Sequence, residues 1–121
     1  MRILVVDDEP MVRFLLTRFL QEEGHVVDEA ADGMEALEHL RQSAYDLLIT
    51  DVHMPRLSGI DLVRRMRHQA IETPIIVADS YPDLFAESDV GAEAFALLAK
   101  PFDLSEVRRV LQMVELQTVT R

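Results

Sequence analysis

Ile3-Leu-Val-Val-Asp-Asp-Glu-Pro10 passes in one short stretch from a purely apolar run to three acids and a proline. A run of Ile, Leu and Val bounded by charge is the pattern of a strand covered on both faces. Beyond it, Val12, Leu15, Leu16, Phe19 and Leu20 recur at helical spacing, with Arg13, Thr17, Arg18 and Gln21 between them. That periodicity predicts an amphipathic helix with the apolar set inward. Pro10 is tolerated in its first turn, and Gly24 is a natural stop.

The same rhythm continues to the end of the chain. His25-Val-Val27 is a weak second strand, and Asp32-Gly-Met-Glu35 opens a second helix as a capping-box variant. Leu47-Leu-Ile49 is a third strand, closed by Thr50 and Asp51, and Ser58 or Gly59 begins a third helix with Ile60, Val63 and Met66 inward. Pro74-Ile-Ile-Val-Ala78 is a fourth strand, its proline suited to the first position. Residues 83–91 make a poor helix, and Phe95 to Ala99 is a fifth strand. Asp103 and Glu106 then cap a last helix, lined by Leu104, Val107, Leu111 and Val114 and running out near residue 116. Alternation of strands and helices implies a parallel sheet with helices on both faces. With no linker or low-complexity segment, residues 1–121 read as one domain.

Composition narrows the function classes. At 49% hydrophobic residues the chain is expected to be ordered. No apolar run approaches the roughly 18 residues of a membrane span, and the acids after Val6 rule out a signal peptide. With no cysteine there is neither a disulfide framework nor a thiolate metal site, and a cytoplasmic location is expected. A net charge of -10 argues against direct nucleic-acid binding but suits a cation.

In open parallel sheets ligands sit beyond the carboxyl ends of the strands. Those positions hold Asp7 and Asp8 after the first strand, Asp51 after the third and Lys100-Pro101 after the fifth. Each has a bland alternative: an acid after a strand is often only a helix cap, and Lys-Pro only a turn. The ordered combination is what is specific. Were the first and third strands neighbours, three carboxylates would converge, and a cation among them would relieve their repulsion. Hard oxygen ligands favour Mg²⁺ or a similar ion. With a lysine opposite, the arrangement suits an anionic group of several oxygens, such as a phosphoryl group, beside a nucleophilic carboxylate.

Ile3-Leu-Val-Val-Asp-Asp-Glu-Pro10, Asp46-Leu-Leu-Ile-Thr-Asp-Val-His-Met-Pro55 with Gly59, and Lys100-Pro-Phe-Asp103 together resemble the receiver domains of two-component response regulators. The resemblance covers essentially the whole chain. It implies a flavodoxin-like, doubly wound (βα)5 sheet with strand order 2-1-3-4-5. Asp51 is then the phosphoacceptor, served by a sensor histidine kinase or phosphotransfer protein and read by a downstream protein or output domain. Asp8 and Asp51 are implied ligands of Mg²⁺ or Mn²⁺, Asp7 acts through a metal-bound water, the backbone carbonyl of His53 completes the protein ligands, and Lys100 pairs with the phosphoryl oxygens. Such a domain is a phosphoacceptor rather than an enzyme acting on a separate substrate, though it promotes its own phosphorylation and dephosphorylation. The His53 side chain is expected at the site mouth, His25, His39 and His68 on the surface, Met34 and Met66 in the core, and Arg64, Arg65 and Arg67 on a solvated helix face.

Two positions depart from the family. Its fourth strand ends in Ser or Thr, whose hydroxyl reports the phosphoryl group; here Asp79 stands there, followed by Ser80. Two unit charges about 4 Å apart repel by about 4 kcal/mol at an effective dielectric near 20, enough to oppose a phosphorylation switch. A register shift presenting Ser80 instead would need a bulge or turn. The family's aromatic residue three places before the lysine is replaced by Leu97, with Phe95 expected on the same strand face. These departures favour, as runner-up, an interaction module that works without phosphorylation. An aspartate phosphatase ranks lower, since Asp51-Val-His53 lacks its usual second acid, as does a flavin or nucleotide carrier, since acids replace a glycine-rich loop.

Overall fold

The computed structural model describes residues 1–120, with side chains as far as Gln117. The apolar runs form β1 (Arg2–Val6), β2 (Val26–Ala30), β3 (Leu47–Thr50), β4 (Ile75–Asp79) and β5 (Ala94–Ala99). All pairings are parallel, in the order β2-β1-β3-β4-β5, which is the flavodoxin-like arrangement. Between them run α1 (Pro10–Glu22), α2 (Gly33–Gln42), α3 (Gly59–His68), a single-turn α4 (Asp83–Ala86) and α5 (Leu104–Thr120). No helix among the described residues is long and apolar enough to cross a membrane.

Alternation along the strands builds two cores. Leu4, Val6, Leu48, Ile75 and Val77 face α2, α3 and the buried Phe85 of α4. Ile3, Val5, Leu47, Ile49, Ile76 and Ala78 face α1 and α5. Two-sided burial explains why the central strands contain no break in apolar sequence. Side-chain caps start the helices: Asp32 accepts from the Glu35 amide, Ser58 from that of Asp61 and Asp103 from that of Glu106. Gly24, at φ 95°, ends α1 in a conformation that other residues rarely adopt.

Several expectations are corrected. β2 starts after His25 and runs on through Asp28 and Glu29, because an edge strand needs less apolar cover; Arg2 and Arg13 pair with those two acids. Pro74 precedes β4 rather than opening it, and offers its carbonyl to the Leu48 amide. In α1 the buried positions include Thr17, while Leu15 is exposed. Leu104 and Met34 are also exposed, and α5 continues past residue 116 to Thr120, with no Gly or Pro to stop it. The His25 side chain is mostly covered, lying between the Met1 ammonium and Glu115. The arginines of α3 are not simply solvated: Arg64 bridges Asp61 and Asp89, and Arg67 holds Glu93. In β5 the register slips between Ala94 and Ala96, and Phe95 packs with Ala96 and Leu98 while Leu97 is 39% exposed. The bulge breaks strict alternation, so Phe95 and Leu97 do not share a face.

Gly59 packs directly on the segment that follows β3. A Cβ there would lie 2.2 Å from the Asp51 carbonyl oxygen and 3.0 Å from the Val52 Cα. Gly59→Ala must push backbone against backbone, and should destabilise the chain by about 1–3 kcal/mol, read as a lower urea midpoint.

Candidate functional site

Because Val6 is paired with Thr50, the next residues of each strand, Asp7 and Asp51, emerge side by side, and the Asp51 amide donates to the Val6 carbonyl. Across the sheet Asp79 is paired with Ala99, which sets Lys100 immediately beyond it. Asp7, Asp51 and Asp79 are only 3%, 4% and 2% exposed. The Lys100 ammonium donates to Asp7 Oδ2 at 2.8 Å, Asp51 Oδ2 at 3.2 Å and Glu9 Oε1 at 3.2 Å. Carboxylate oxygens of Asp7, Asp8, Glu9 and Asp51 all lie within 4.8 Å of one another, with Asp8 and Glu9 toward solvent. Glu9 was not anticipated. It is the third acid of the opening run and the N-cap of α1, yet its side chain makes no capping bond and turns to Lys100 instead.

Asp79 turns into the site. Its Oδ1 accepts from the amides of Val52 at 3.2 Å and His53 at 3.3 Å, and its Oδ2 from the Tyr81 amide at 2.9 Å. The His53 Nδ1 lies 3.0 Å from Oδ2, with that imidazole 58% exposed at the mouth. The register slip falls in β5, and β4 runs regularly to its end, so Ser80 is not brought inward and lies exposed. Beside the site, a cleft of about 640 Å³ opens between α1 and the start of α5. Leu15, Leu16, Phe102 and Leu104 line it, with Glu9, Ser80 and Lys100 also in its wall.

Burial is the largest influence on Asp51, Asp79 and Lys100. It pushes the Asp51 carboxyl up to about 8, aided by the hydrogen bond with Asp79 and opposed by Lys100. Burial acts in the same sense on Asp79, but the hydrogen bond from Asp51 and the amides of Tyr81, His53 and Val52 outweigh it, holding Asp79 well below the ordinary carboxylate range. Burial would lower Lys100, yet its bond to Asp7 and the charges of Asp7 and Asp51 keep it above its usual value. The two neighbouring carboxyls are thus pushed in opposite directions, Asp51 upward and Asp79 downward. Two buried acids in contact cannot both ionise cheaply, and Asp79 owns the better donors.

The sequence model for the response regulator receiver domain matches residues 3–112. The transcriptional regulatory protein TcrA of Mycobacterium tuberculosis is 40% identical over 109 residues, covering 88% of this chain and 42% of TcrA. The chain thus spans less than half the length of that relative. Among solved structures, the response regulator TrrA of Thermotoga maritima, in complex with Mg²⁺-BeF, has a TM-score of 0.82 and 37% identity over 93% of this chain and 97% of its own. The receiver domain of the sensor histidine kinase PA1611 of Pseudomonas aeruginosa, with a magnesium ion in its active-site cleft, has a TM-score of 0.84 and 30% identity over 93% and 94%. Sheet order, strand-end chemistry and sequence agree: the chain belongs to the response regulator receiver domain family.

Proposed function

We propose that residues 1–121 form one receiver domain in which Asp51 accepts a phosphoryl group from a phosphohistidine of a sensor kinase or phosphotransfer protein. The observation that carries this reading is the Asp51 carboxylate, nearly buried at the end of β3, with the Lys100 ammonium 3.2 Å from its Oδ2. In the transfer, an Asp51 oxygen forms a bond to phosphorus as the bond from phosphorus to the donor imidazole breaks. The electron pair of that bond stays on the nitrogen. Lys100 is placed to neutralise phosphoryl oxygens, and the buried setting strengthens that attraction. The phosphorylated domain then acts on a downstream protein or output domain, a role supported by the likeness to a transcriptional regulator. The apolar cleft beside Lys100 offers a protein phosphodonor a surface next to the reacting group. A cytoplasmic location accompanies this reading.

The donor set fits a hard divalent cation. Every side-chain candidate is a carboxylate oxygen, and four residues supply them within 4.8 Å. Asp7, Asp8 and Asp51, with the His53 carbonyl, would hold Mg²⁺ or Mn²⁺, which the magnesium in the TrrA and PA1611 structures also supports. When bound, such an ion offsets the negative charge of the phosphoryl oxygens.

With acetyl phosphate and Mg²⁺, intact-mass analysis should show the gain of one phosphoryl group, and Asp51→Asn should abolish it; labelling that survives this substitution would sink the assignment. Mg²⁺ should also raise the melting temperature, by about 2.7 kcal/mol of stability at a hundredfold excess over Kd. Asp8→Ala should remove most of that shift, and an equal shift in the variant would exclude Asp8 as a ligand.

The proton on Asp51 gives a pH dependence. The folded, metal-free chain keeps a proton that the unfolded chain releases near pH 4, since the folded carboxyl is raised to about 8. Its stabilising contribution is full below the unfolded value and is lost as pH rises through the folded one. Asp79, shifted down, and Lys100, shifted up, contribute evenly across that window. His25, lowered by burial and the Met1 ammonium, titrates in the opposite sense. The Asp51 contribution is therefore the difference between two proteins. In chelator, the stability of the wild type should fall relative to Asp51→Asn from about pH 5 to about pH 8. Parallel curves would contradict a raised carboxyl.

A further inference from the structure

We propose that Asp79 is an internal anion occupying the donors that a phosphoryl group on Asp51 would use, and that phosphorylation expels it and frees the Tyr81 amide. This inference rests on Asp51 being the phosphoacceptor. The reacting carboxylate has two flanks. On one, Lys100 contacts Asp51 Oδ2 at 3.2 Å. On the other, the Val52 amide donates to Asp51 Oδ1 at 2.9 Å and also to Asp79 Oδ1 at 3.2 Å. The next amide, that of His53, is directed to Asp79 Oδ1 as well. A phosphoryl group on Asp51 brings three acceptor oxygens and more than one negative charge. On the Val52 flank the donors available to those oxygens are the amides that Asp79 already holds. One N–H cannot satisfy two anions, and two anions that compete for one buried donor repel strongly. Among the described residues no Lys or Arg pairs with Asp79; its partners are amides and the imidazole of His53.

The route of expulsion is set by what surrounds the carboxylate. His53 and Tyr81, which both hold Asp79 Oδ2, are exposed, so the way past them leads to solvent. Leaving in that direction breaks the bond between Asp79 Oδ2 and the Tyr81 amide. Tyr81 begins the turn into α4, its carbonyl accepting from the Leu84 amide. The signal delivered to this segment is therefore a release driven by repulsion, rather than a pull toward the phosphoryl group. The His53 imidazole acts as a positioning group here, since it holds Asp79 Oδ2.

The test uses the full chain with acetyl phosphate and Mg²⁺. Phosphoryl occupancy is followed by intact mass, and the Tyr81 amide by NMR shift and hydrogen exchange. Asp79→Thr should be phosphorylated about tenfold faster or more, because a like charge is removed from beside the nucleophile. In the wild type the Tyr81 amide should shift and exchange faster in step with phosphoryl occupancy. The unphosphorylated Asp79→Ala chain should already show that faster exchange. Should Asp79→Thr or Asp79→Ala fail to fold, the near-isosteric Asp79→Asn and the wild-type Tyr81 signal carry the test. Equal labelling rates in wild type and folded Asp79 variants, with an unmoved Tyr81 amide, overturn the inference and leave Asp51 as phosphoacceptor. Labelling absent from every protein, or persisting in the Asp51→Asn, Asp79→Thr double variant, overturns the phosphoacceptor reading and the inference with it.

Discussion

The Lys100 ammonium, shared among Asp7, Asp51 and Glu9, is the contact on which the rest of the site depends. Two carboxyls as buried as Asp7 and Asp51 cannot stand side by side without a cation or a proton between them. Lys100 can reach them only because β5 closes the sheet at the edge beyond β4, and because its backbone amide is tied to the Asp79 carbonyl at 2.9 Å. Strand order, register and the two apolar cores are therefore all prerequisites of one ion cluster. Gly59 belongs to the same requirement, since it lets the start of α3 close onto the Asp51 backbone.

One lysine does not balance the acids gathered here, and the remainder is handled in two ways. Glu9 and Asp8 remain toward solvent, where water screens them. Asp79 is buried, but draws on three backbone amides and an imidazole, donors that carry no net charge unless His53 is protonated. Asp51 has the Val52 amide and Lys100 as donors, and its carboxyl is shifted upward. The proposed phosphoacceptor is thus also the carboxyl whose charge is held in check, by a neighbour where the family has a hydroxyl.

The segment between β4 and β5 has a separate logic. Ser88, Asp89, Val90 and Gly91 are weak helix formers, so α4 does not extend beyond a single turn, and the segment continues as the 3-10 turn Gly91–Glu93. Arg64 and Arg67 on α3 pair with its Asp89 and Glu93. Exposed pairs of this kind contribute about 0–1 kcal/mol each. Burying Phe85 completely is worth more, roughly 1.5–3 kcal/mol, so the aromatic anchor holds the segment and the arginines orient it.

The fold was legible in the chain because its central strands are covered on both faces. Such strands must be continuous apolar runs, and in a parallel sheet their ends must carry the polar chemistry; hence Asp7, Asp51 and Lys100 are legible in the sequence. Edges were less legible. β2 is open on one side, so its Asp28 and Glu29 hid it. α5 has no stop signal, so its end was placed short. α1 borders a cleft, so Leu15 could stay exposed while Thr17 turned inward. What tertiary structure alone decided was direction. Whether Asp79 or Ser80 entered the site depended on which strand carried the bulge, and it lies in β5, leaving β4 regular through Asp79. Whether Glu9 capped its helix or joined Lys100 depended on a cation arriving from a residue more than ninety positions away. Periodicity reports which residues are buried together, because burial follows local spacing; it carries no information on which of two adjacent polar groups meets a partner from another strand.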